Sequence, residues 1–433
     1  MTDLTRRGAL AVLGALAGCG ATNPLGADES IELDGAALRA LAVADAPTIP
    51  HRLPVDIEQS HLAAAQGRAE TLLDAVPATL SPAEIPNGAI RERVQGARDH
   101  AAESLEQARE RTAPFERLDA LGDARADARF AADAWRAIDE GLTRDDLSSA
   151  AAAIRDDRAA LHDRWAYVGG DPVDATLVHA AIERRLDSAQ ANATLSDPHR
   201  YRSGNPLGVG EAGEELERAR VAVDDAAHFY DRYTRALDDP TDLRARLQAA
   251  QEDLSDAFET EREAIEVADP DRPWEVADSD IEDTPAAEAL QDLARPLRAE
   301  VGGNQFDEGV ARPLLWVHGS LIDLRAFRAL RDRVQSGETF AIESVDDVAA
   351  MRTAAIEALN AANENPGVPA LTRETLANLS SRLRDPEATL SNAEGDVRAA
   401  SLRYDTATYL TVMARARATP PESERVATAL RSG

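Results

Sequence analysis

The spacing of apolar residues constrains the fold of this chain most. After residue 55 they recur every three or four positions and hardly ever every second one. The clearest series is Leu216, Ala219, Val223, Ala226, Tyr230, Tyr233 and Leu237, and a second is Ile90, Val94, Ala97, Ala101, Leu105 and Ala108. Such spacing places the apolar side chains along one face of an α-helix, in a narrow seam of coiled-coil type. The sequence therefore predicts an all-α protein.

Capping and breaking residues divide residues 56–433 into about twelve helices, the longest of about thirty residues. Gly169-Gly170-Asp171-Pro172, for example, ends one helix and begins another. The helices fit either a multi-helix bundle or an elongated array of antiparallel hairpins, and the short break at residues 238–241 predicts one hairpin. The acidic, proline-containing residues 268–285 are the predicted internal boundary of this body.

The N-terminus has the organisation of a secretory signal. Residues 5–19, TRRGALAVLGALAGC, combine Arg6 and Arg7 with a short apolar run and the only cysteine, Cys19. The run at residues 9–17 is about half the length of about twenty residues that a bilayer-spanning helix needs. The segment resembles a twin-arginine export signal, and Leu16-Ala17-Gly18-Cys19 resembles a lipobox. The resemblance covers about the first twenty residues. It implies a signal peptide at residues 1–18, export in the folded state and lipidation of Cys19.

The cysteine count and residues 19–55 are consistent with an exported, lipidated protein. With one cysteine the chain forms no internal disulfide, and it has no thiolate cluster or cysteine nucleophile elsewhere. Residues 19–55 include the proline-rich ADAPTIPHRLPVD and predict an extended, lipidated tether. We expect the protein to be exported and anchored to the outer face of the cell membrane through lipid on Cys19.

The charge composition is unusual. All 47 basic residues are arginine and none is lysine, while 78 residues are acidic, so the formal net charge is −31. Removal of residues 1–18 would take away one acidic and two basic side chains and bring the charge from −31 to −32. An acidic disordered chain is excluded because 44% of the residues are hydrophobic and periodically placed. The composition resembles that of haloarchaeal proteins, and it argues against nucleic acid as a partner.

One glycine motif has a phosphate-binding pattern but not its context. Residues 208–213, GVGEAG, match G-x-G-x-x-G, but no strand precedes them. Glu211, Glu214 and Glu215 would repel a phosphate at this position. We therefore interpret them as first-turn residues of a helix, where the helix dipole favours acidic side chains.

Two His/Glu pairs are the metal-ligand candidates. His100 and Glu103 are three residues apart, and His179 and Glu183 are four apart, so each pair shares a helix face. The His-x-x-Glu element is similar to that of imelysin-like helical surface proteins, although Arg98 stands where that family has glycine. In a chain with so many acidic residues, such spacings also arise by chance between residues on a helix surface. We prefer this interpretation to a metal site. No metal or cofactor is therefore assigned.

Further polar residues have weaker signals. His318 lies in the apolar segment 312–327 beside Gly319 and Ser320, and is predicted to be a core residue. Asn192 and Asn378 begin N-glycosylation sequons, which an exported protein can use where a rigid helix does not block access.

The sequence contains no recognisable catalytic motif: it lacks a G-x-S-x-G elbow, an H-E-x-x-H pair, a P-loop and an EF-hand loop. We expect no catalytic residues and no enzyme. The favoured prediction is a lipid-anchored, cell-surface structural or interaction protein of a halophile with an unknown protein partner. The alternative is an imelysin-like helical protein that binds a metal or solute at the surface.

Overall fold

The fold of this computed structural model is all-α, as predicted. The structure describes residues 31–43, 46–195, 205–265, 272–273, 281–298 and 309–432. Within these ranges thirteen helices have eight residues or more, and the four strands have only two or three residues each. The prediction of about twelve helices is thus confirmed.

Seven helices precede residue 240: α1 (Gly35–Leu41), α2 (Gln59–Asp74), α3 (Gly88–Glu110), α4 (Pro114–Asp139), α5 (Ser148–Arg164), α6 (Pro172–Asn192) and α7 (Pro206–Arg235). The long α4 packs against α2, α3 and α7, and α6 in turn packs against α7.

Side chains that precede the helices determine where three of them begin. Asn87, Asp171 and Asn205 accept hydrogen bonds from first-turn amides of α3, α6 and α7.

Eight helices follow: α8 (Arg244–Glu263), α9 (Pro285–Leu293), α10 (Arg295–Arg298), α11 (Ala311–Gln335), α12 (Val345–Glu364), α13 (Pro369–Ser381), α14 (Arg384–Ser391) and α15 (Arg403–Ser432). Here α15 is central and packs against α8, α9, α11, α12 and α13. The two groups of helices meet where α6 contacts α11, α13 and α15. One continuous apolar core extends through both groups.

The segment before α2 differs from the extended tether expected for residues 19–55. Strand β1 (Glu32–Asp34) pairs antiparallel with β4 (Asp396–Arg398), and α1 packs on α12 and α14. Leu38 of α1 is fully buried. Apolar burial and ladder hydrogen bonds thus attach the chain to the body from residue 32 onward, whereas residues 19–30 of the predicted tether lie outside the described ranges.

The hairpin predicted between α7 and α8 is wrong. Helix α7 packs on α4 and α6, whereas α8 packs on α11 and α15. The break between them contains β3 (Thr241–Asp242), which pairs with β2 (Val168–Gly169), and the Leu243 amide donates to the Tyr167 carbonyl at 2.7 Å. These bonds hold the break against the α5–α6 connection, so α8 starts in the second group of helices. The apolar seam of α7 is nevertheless buried from Leu216 to Ala226.

The glycine motif lies inside α7, but Glu211, Glu214 and Glu215 are not in the first turn of a helix as predicted, because Asn205 caps α7 and the helix already begins at Pro206. Gly210 and Gly213 face α4: a Cβ on Gly210 would lie 2.8 Å from the Phe130 carbonyl oxygen, and one on Gly213 would lie 3.0 Å from Asp133 Cβ. Glycine therefore permits a close approach of two helix backbones here.

Candidate functional site

The predicted export residues lie outside the described part of the chain. This applies to Arg6, Arg7 and Cys19. The helices that are described include none with the length and apolar character needed to span a membrane.

Both predicted glycosylation asparagines lie in helices. Asn192 is the last residue of α6 and donates from Nδ2 to the Ser188 carbonyl at 2.8 Å. Asn378 is exposed on α13 and donates to the Glu374 carbonyl at 3.0 Å. The hydroxyl group of its sequon, on Ser380, is buried and accepts from the Ile49 amide. Use of either site after folding would require the helix to open locally.

The pair His100 and Glu103 lies on the protein surface. The His100 ring is 66% exposed and its Nδ1 contacts Asp127 Oδ2 on α4 at 2.7 Å. Glu103 accepts from Gln107 one turn further along α3. The pair thus contributes to surface contacts of α3, as the preferred interpretation expected.

His179 is a fully buried, neutral imidazole. Trp165 Nε1 donates to its Nδ1 at 3.0 Å, and its own Nε2 donates to the Val168 carbonyl at 2.9 Å. Burial lowers the pKa of His179 to about 4. Since both ring nitrogens are used, no lone pair is left for a metal.

Glu183 caps a helix from a distant part of the chain. Its carboxylate accepts the amides of Val310, Ala311 and Arg312 at 2.7–3.0 Å, and the Tyr167 hydroxyl at 2.6 Å. These amides form the start of α11, whose dipole favours a negative charge. Gly309 stands immediately beside this carboxylate, and a Cβ there would lie 2.8 Å from it.

The two His/Glu pairs therefore do not form one site. Each of the four side chains has its own separate contacts, on α3 and α4 or at the junction of α6 with α11. In the described ranges no group of three or more His, Cys, Asp or Glu side chains could hold a metal ion.

A cavity lies where α6, α10, α11, α13 and α15 meet, and we call it the arginine cleft. Its volume is about 550 Å³. Four arginines line it, together with five apolar residues: Arg184, Arg295, Arg382 and Arg415, and Leu315, Trp316, Ile322, Leu371 and Leu379. Two carboxylates, Asp323 and Glu374, complete its charged lining.

Arginines outnumber carboxylates in the ionic network of the cleft. Asp292 is shared by Arg295 at 2.8 Å, Arg382 at 3.3 Å and Arg415 at 3.0 Å. Arg415 also forms two bonds with Asp323, at 2.5 and 3.1 Å. Burial raises the pKa of Asp323, and the Arg415 guanidinium opposes this rise. Three guanidinium groups thus face two carboxylates.

Arg184 brings a fourth guanidinium from α6. In the described part of the chain its one carboxylate contact is with Glu374 at 3.9 Å, and Glu374 also contacts His51 at 3.5 Å. Loss of solvation lowers the pKa of Arg184, and Arg185 and Arg312 nearby lower it further, whereas Glu374 opposes this shift. The positive charge at this position is therefore weakly compensated.

His318, at the wall of the cleft, is a core residue as predicted. Its Nε2 lies 3.1 Å from the hydroxyl oxygen of Ser423, and burial lowers the pKa of His318 to about 4. Ser423 is completely buried.

Two protein families match this chain. Residues 60–239 match a family described as Domain of unknown function (DUF8262), and residues 244–428 match Domain of unknown function (DUF8264). No curated protein and no solved structure matches the chain.

The matches divide the chain at the α7–α8 break. The boundary predicted at residues 268–285 falls inside the second match and stays a prediction, because most of that stretch lies outside the described residues. The arginine cleft combines both matched segments: Arg184 belongs to the first, and Arg295, Arg382 and Arg415 belong to the second.

The arginines of the cleft were not singled out by sequence reasoning. In a chain with 47 of them, nothing in the local sequence distinguishes the four in the cleft. Only their convergence in space identifies them.

Proposed function

We propose that this protein is an exported, lipid-anchored helical binding protein on the outer face of a halophile's cell membrane, without catalytic activity. The observation that carries the proposal is the signal TRRGALAVLGALAGC, which ends at the only cysteine of the chain. Its twin arginine favours export of a protein that has already folded, and a salt-adapted acidic body would fold quickly in the cytoplasm.

The distance between the lipid and the body is short in this proposal. From Cys19 to the start of β1 the chain has thirteen residues, which span about 45 Å at most when fully extended. The pairing of β1 with β4 and the packing of α1 on α14 direct this tether to one side of the second group of helices. That side would face the membrane, and the acidic body would be repelled by anionic headgroups.

The contacts in the cleft support binding rather than catalysis. Asp323 is held by Arg415, and Glu374 contacts Arg184 and His51, so both carboxylates serve as ion-pair partners. The hydroxyl that contacts His318 belongs to Ser423, which is fully buried and does not line the cleft. A nucleophile at that position would not reach a substrate.

The imelysin-like alternative depended on convergence of the His100/Glu103 and His179/Glu183 pairs. These residues have separate structural contacts, which count against the alternative.

The test compares two variants of the full-length protein in a haloarchaeal host. Cys19→Ser removes the lipid acceptor and should release the protein into the medium. The double variant Arg6→Lys and Arg7→Lys keeps the charge of the signal but removes the twin arginine, and should leave the protein inside the cell. Fractionation and immunoblotting at constant high salt measure both outcomes.

Firm membrane association of the Cys19→Ser protein after extraction of peripheral proteins would contradict the lipid anchor. Normal export of the Arg6→Lys, Arg7→Lys protein would contradict the twin-arginine route.

A further inference from the structure

The arginine cleft has the size of a small-molecule site. Its volume of about 550 Å³ lies within the range of roughly 300–1,000 Å³ that is typical of ligand pockets. It combines an apolar wall with a few charged groups, which is the usual composition of such pockets.

The charge of the cleft is opposite to that of the chain. The chain has a net charge of −31, yet within the cleft Arg295, Arg382 and Arg415 share Asp292, and among the described residues only Arg415 has a second carboxylate partner, Asp323. A guanidinium has five N–H donors. Arg295 and Arg382 each use one such contact on Asp292 and are partly exposed, so they retain donors for an incoming group. A cation would meet repulsion here.

The apolar wall distinguishes an organic ligand from an inorganic ion. Leu315, Trp316, Leu371 and Leu379 line the same cavity as the arginines. A chloride or sulfate ion would leave the partly exposed Leu315 and Trp316 in contact with water, whereas a ring or chain attached to an anionic group would cover them; Leu371 and Leu379 are already buried. Bidentate hydrogen bonding from a guanidinium fits a carboxylate particularly well.

We propose that the arginine cleft binds an organic carboxylate: an anionic head that pairs with Arg295 and Arg382, on an apolar body that packs against Leu315 and Trp316. The site does not depend on anchoring at Cys19, so it extends the proposed function and stands or falls separately from it.

Binding to the full-length protein in concentrated KCl can be measured by isothermal titration calorimetry with three matched probes. 4-Phenylbutyrate has both the carboxylate and the apolar body, 4-phenylbutan-1-ol has the body without the charge, and acetate has the charge without the body. We expect 4-phenylbutyrate to bind with a dissociation constant of about 1 mM or below. The other two should bind at least about tenfold more weakly.

Variants locate the binding site. Arg295→Gln and Arg382→Gln should each weaken 4-phenylbutyrate binding about tenfold, since each removes a charge-assisted bond. Arg218→Gln is the matched control, because Arg218 is 44% exposed, close to the 40% of Arg382, and pairs with Glu214 far from the cleft. Arg295 is 72% exposed, so its substitution tests the site even if Arg382→Gln fails to fold. Circular dichroism verifies folding.

Three results would overturn the proposal. They are no binding of 4-phenylbutyrate at about 10 mM, equal binding of the alcohol and the carboxylate, or affinities of the two cleft variants that match that of Arg218→Gln.

Discussion

Glu183 shows how one side chain can join two distant parts of this chain. It belongs to the first family match, and it caps α11 of the second through three backbone amides. Buried carboxylates are tolerated where several donors replace water, and the positive end of a helix dipole adds to this stabilisation. The same residue therefore holds α11 in place and fixes its position relative to α6.

Substitution of this carboxylate should be costly. Glu183→Gln replaces one acceptor oxygen by an NH2 group that faces backbone donors, and we expect the free energy of unfolding to fall by about 2–4 kcal/mol. Urea denaturation at constant salt measures the loss, and hydrogen exchange should show reduced protection of the Val310–Arg312 amides. Glu103→Gln, at an exposed position on α3, is the matched control and should change stability by less than about 0.5 kcal/mol. Equal stability of the two variants would disprove the capping role.

The sequence could place His179 and Glu183 on one helix face but could not say what they contact. Their spacing of four is a local property, and it predicts the shared face correctly. The backbone amides that Glu183 caps are 127–129 residues away in the chain, and no local pattern connects residues so far apart. The cleft arginines are missed for the same reason. Arginine is frequent throughout this chain, and only the spatial convergence of these four distinguishes them.

Among the helices, the close contact between α4 and α7 has an identifiable sequence cause. Gly210 and Gly213 leave room for Phe130 and for Asp133, a buried residue that pairs with Arg129 at 2.5 Å. A side chain at Gly213 would displace this ion pair or move the helix. The literal G-x-G-x-x-G match thus has a packing explanation.

Two glycine substitutions should have opposite effects. Gly213→Ala improves helix propensity, but its Cβ overlaps Asp133, so we expect a net loss of about 1–3 kcal/mol in the free energy of unfolding. Gly96→Ala lies on the exposed face of α3 with nothing within 4 Å of the new Cβ, and it should gain about 0.5–1 kcal/mol. Thermal denaturation at fixed salt compares them. A stabilising Gly213→Ala would show that α4 and α7 are not tightly packed there.

Helix existence could be predicted far better than helix pairing. The seam from Leu216 to Tyr233 follows from periodicity, because burial of one helix face is a local requirement. The partner of that seam is determined by the whole core. The short break after α7 suggested α8 as this partner. The hydrogen bonds of residues 241–243 to the α5–α6 connection instead place α8 against α11 and α15.

At the scale of the whole molecule, arginine ion pairs offset only part of the acidic charge. Buried Glu217, for example, lies within 4 Å of Arg68, Arg125 and Arg129. With 78 acidic residues against 47 arginines, many carboxylates have no arginine to pair with. Their mutual repulsion acts across the surface and opposes compaction. It weakens with salt, because the Debye length falls from about 10 Å at 0.1 M to about 3 Å at 1 M.

The fold should therefore require salt. Lowering KCl below about 1 M should cause a cooperative loss of the helical circular-dichroism signal, since repulsion then extends over neighbouring helices. Asp238, Asp239, Glu252 and Asp253 are exposed and have no ion-pair partner among the described residues. Their replacement by Asn or Gln removes four negative charges, which changes the net charge from −31 to −27, and should move the midpoint to lower KCl. A full helical signal at about 0.1 M KCl, or a midpoint that does not respond to the four substitutions, would contradict charge repulsion as the cause.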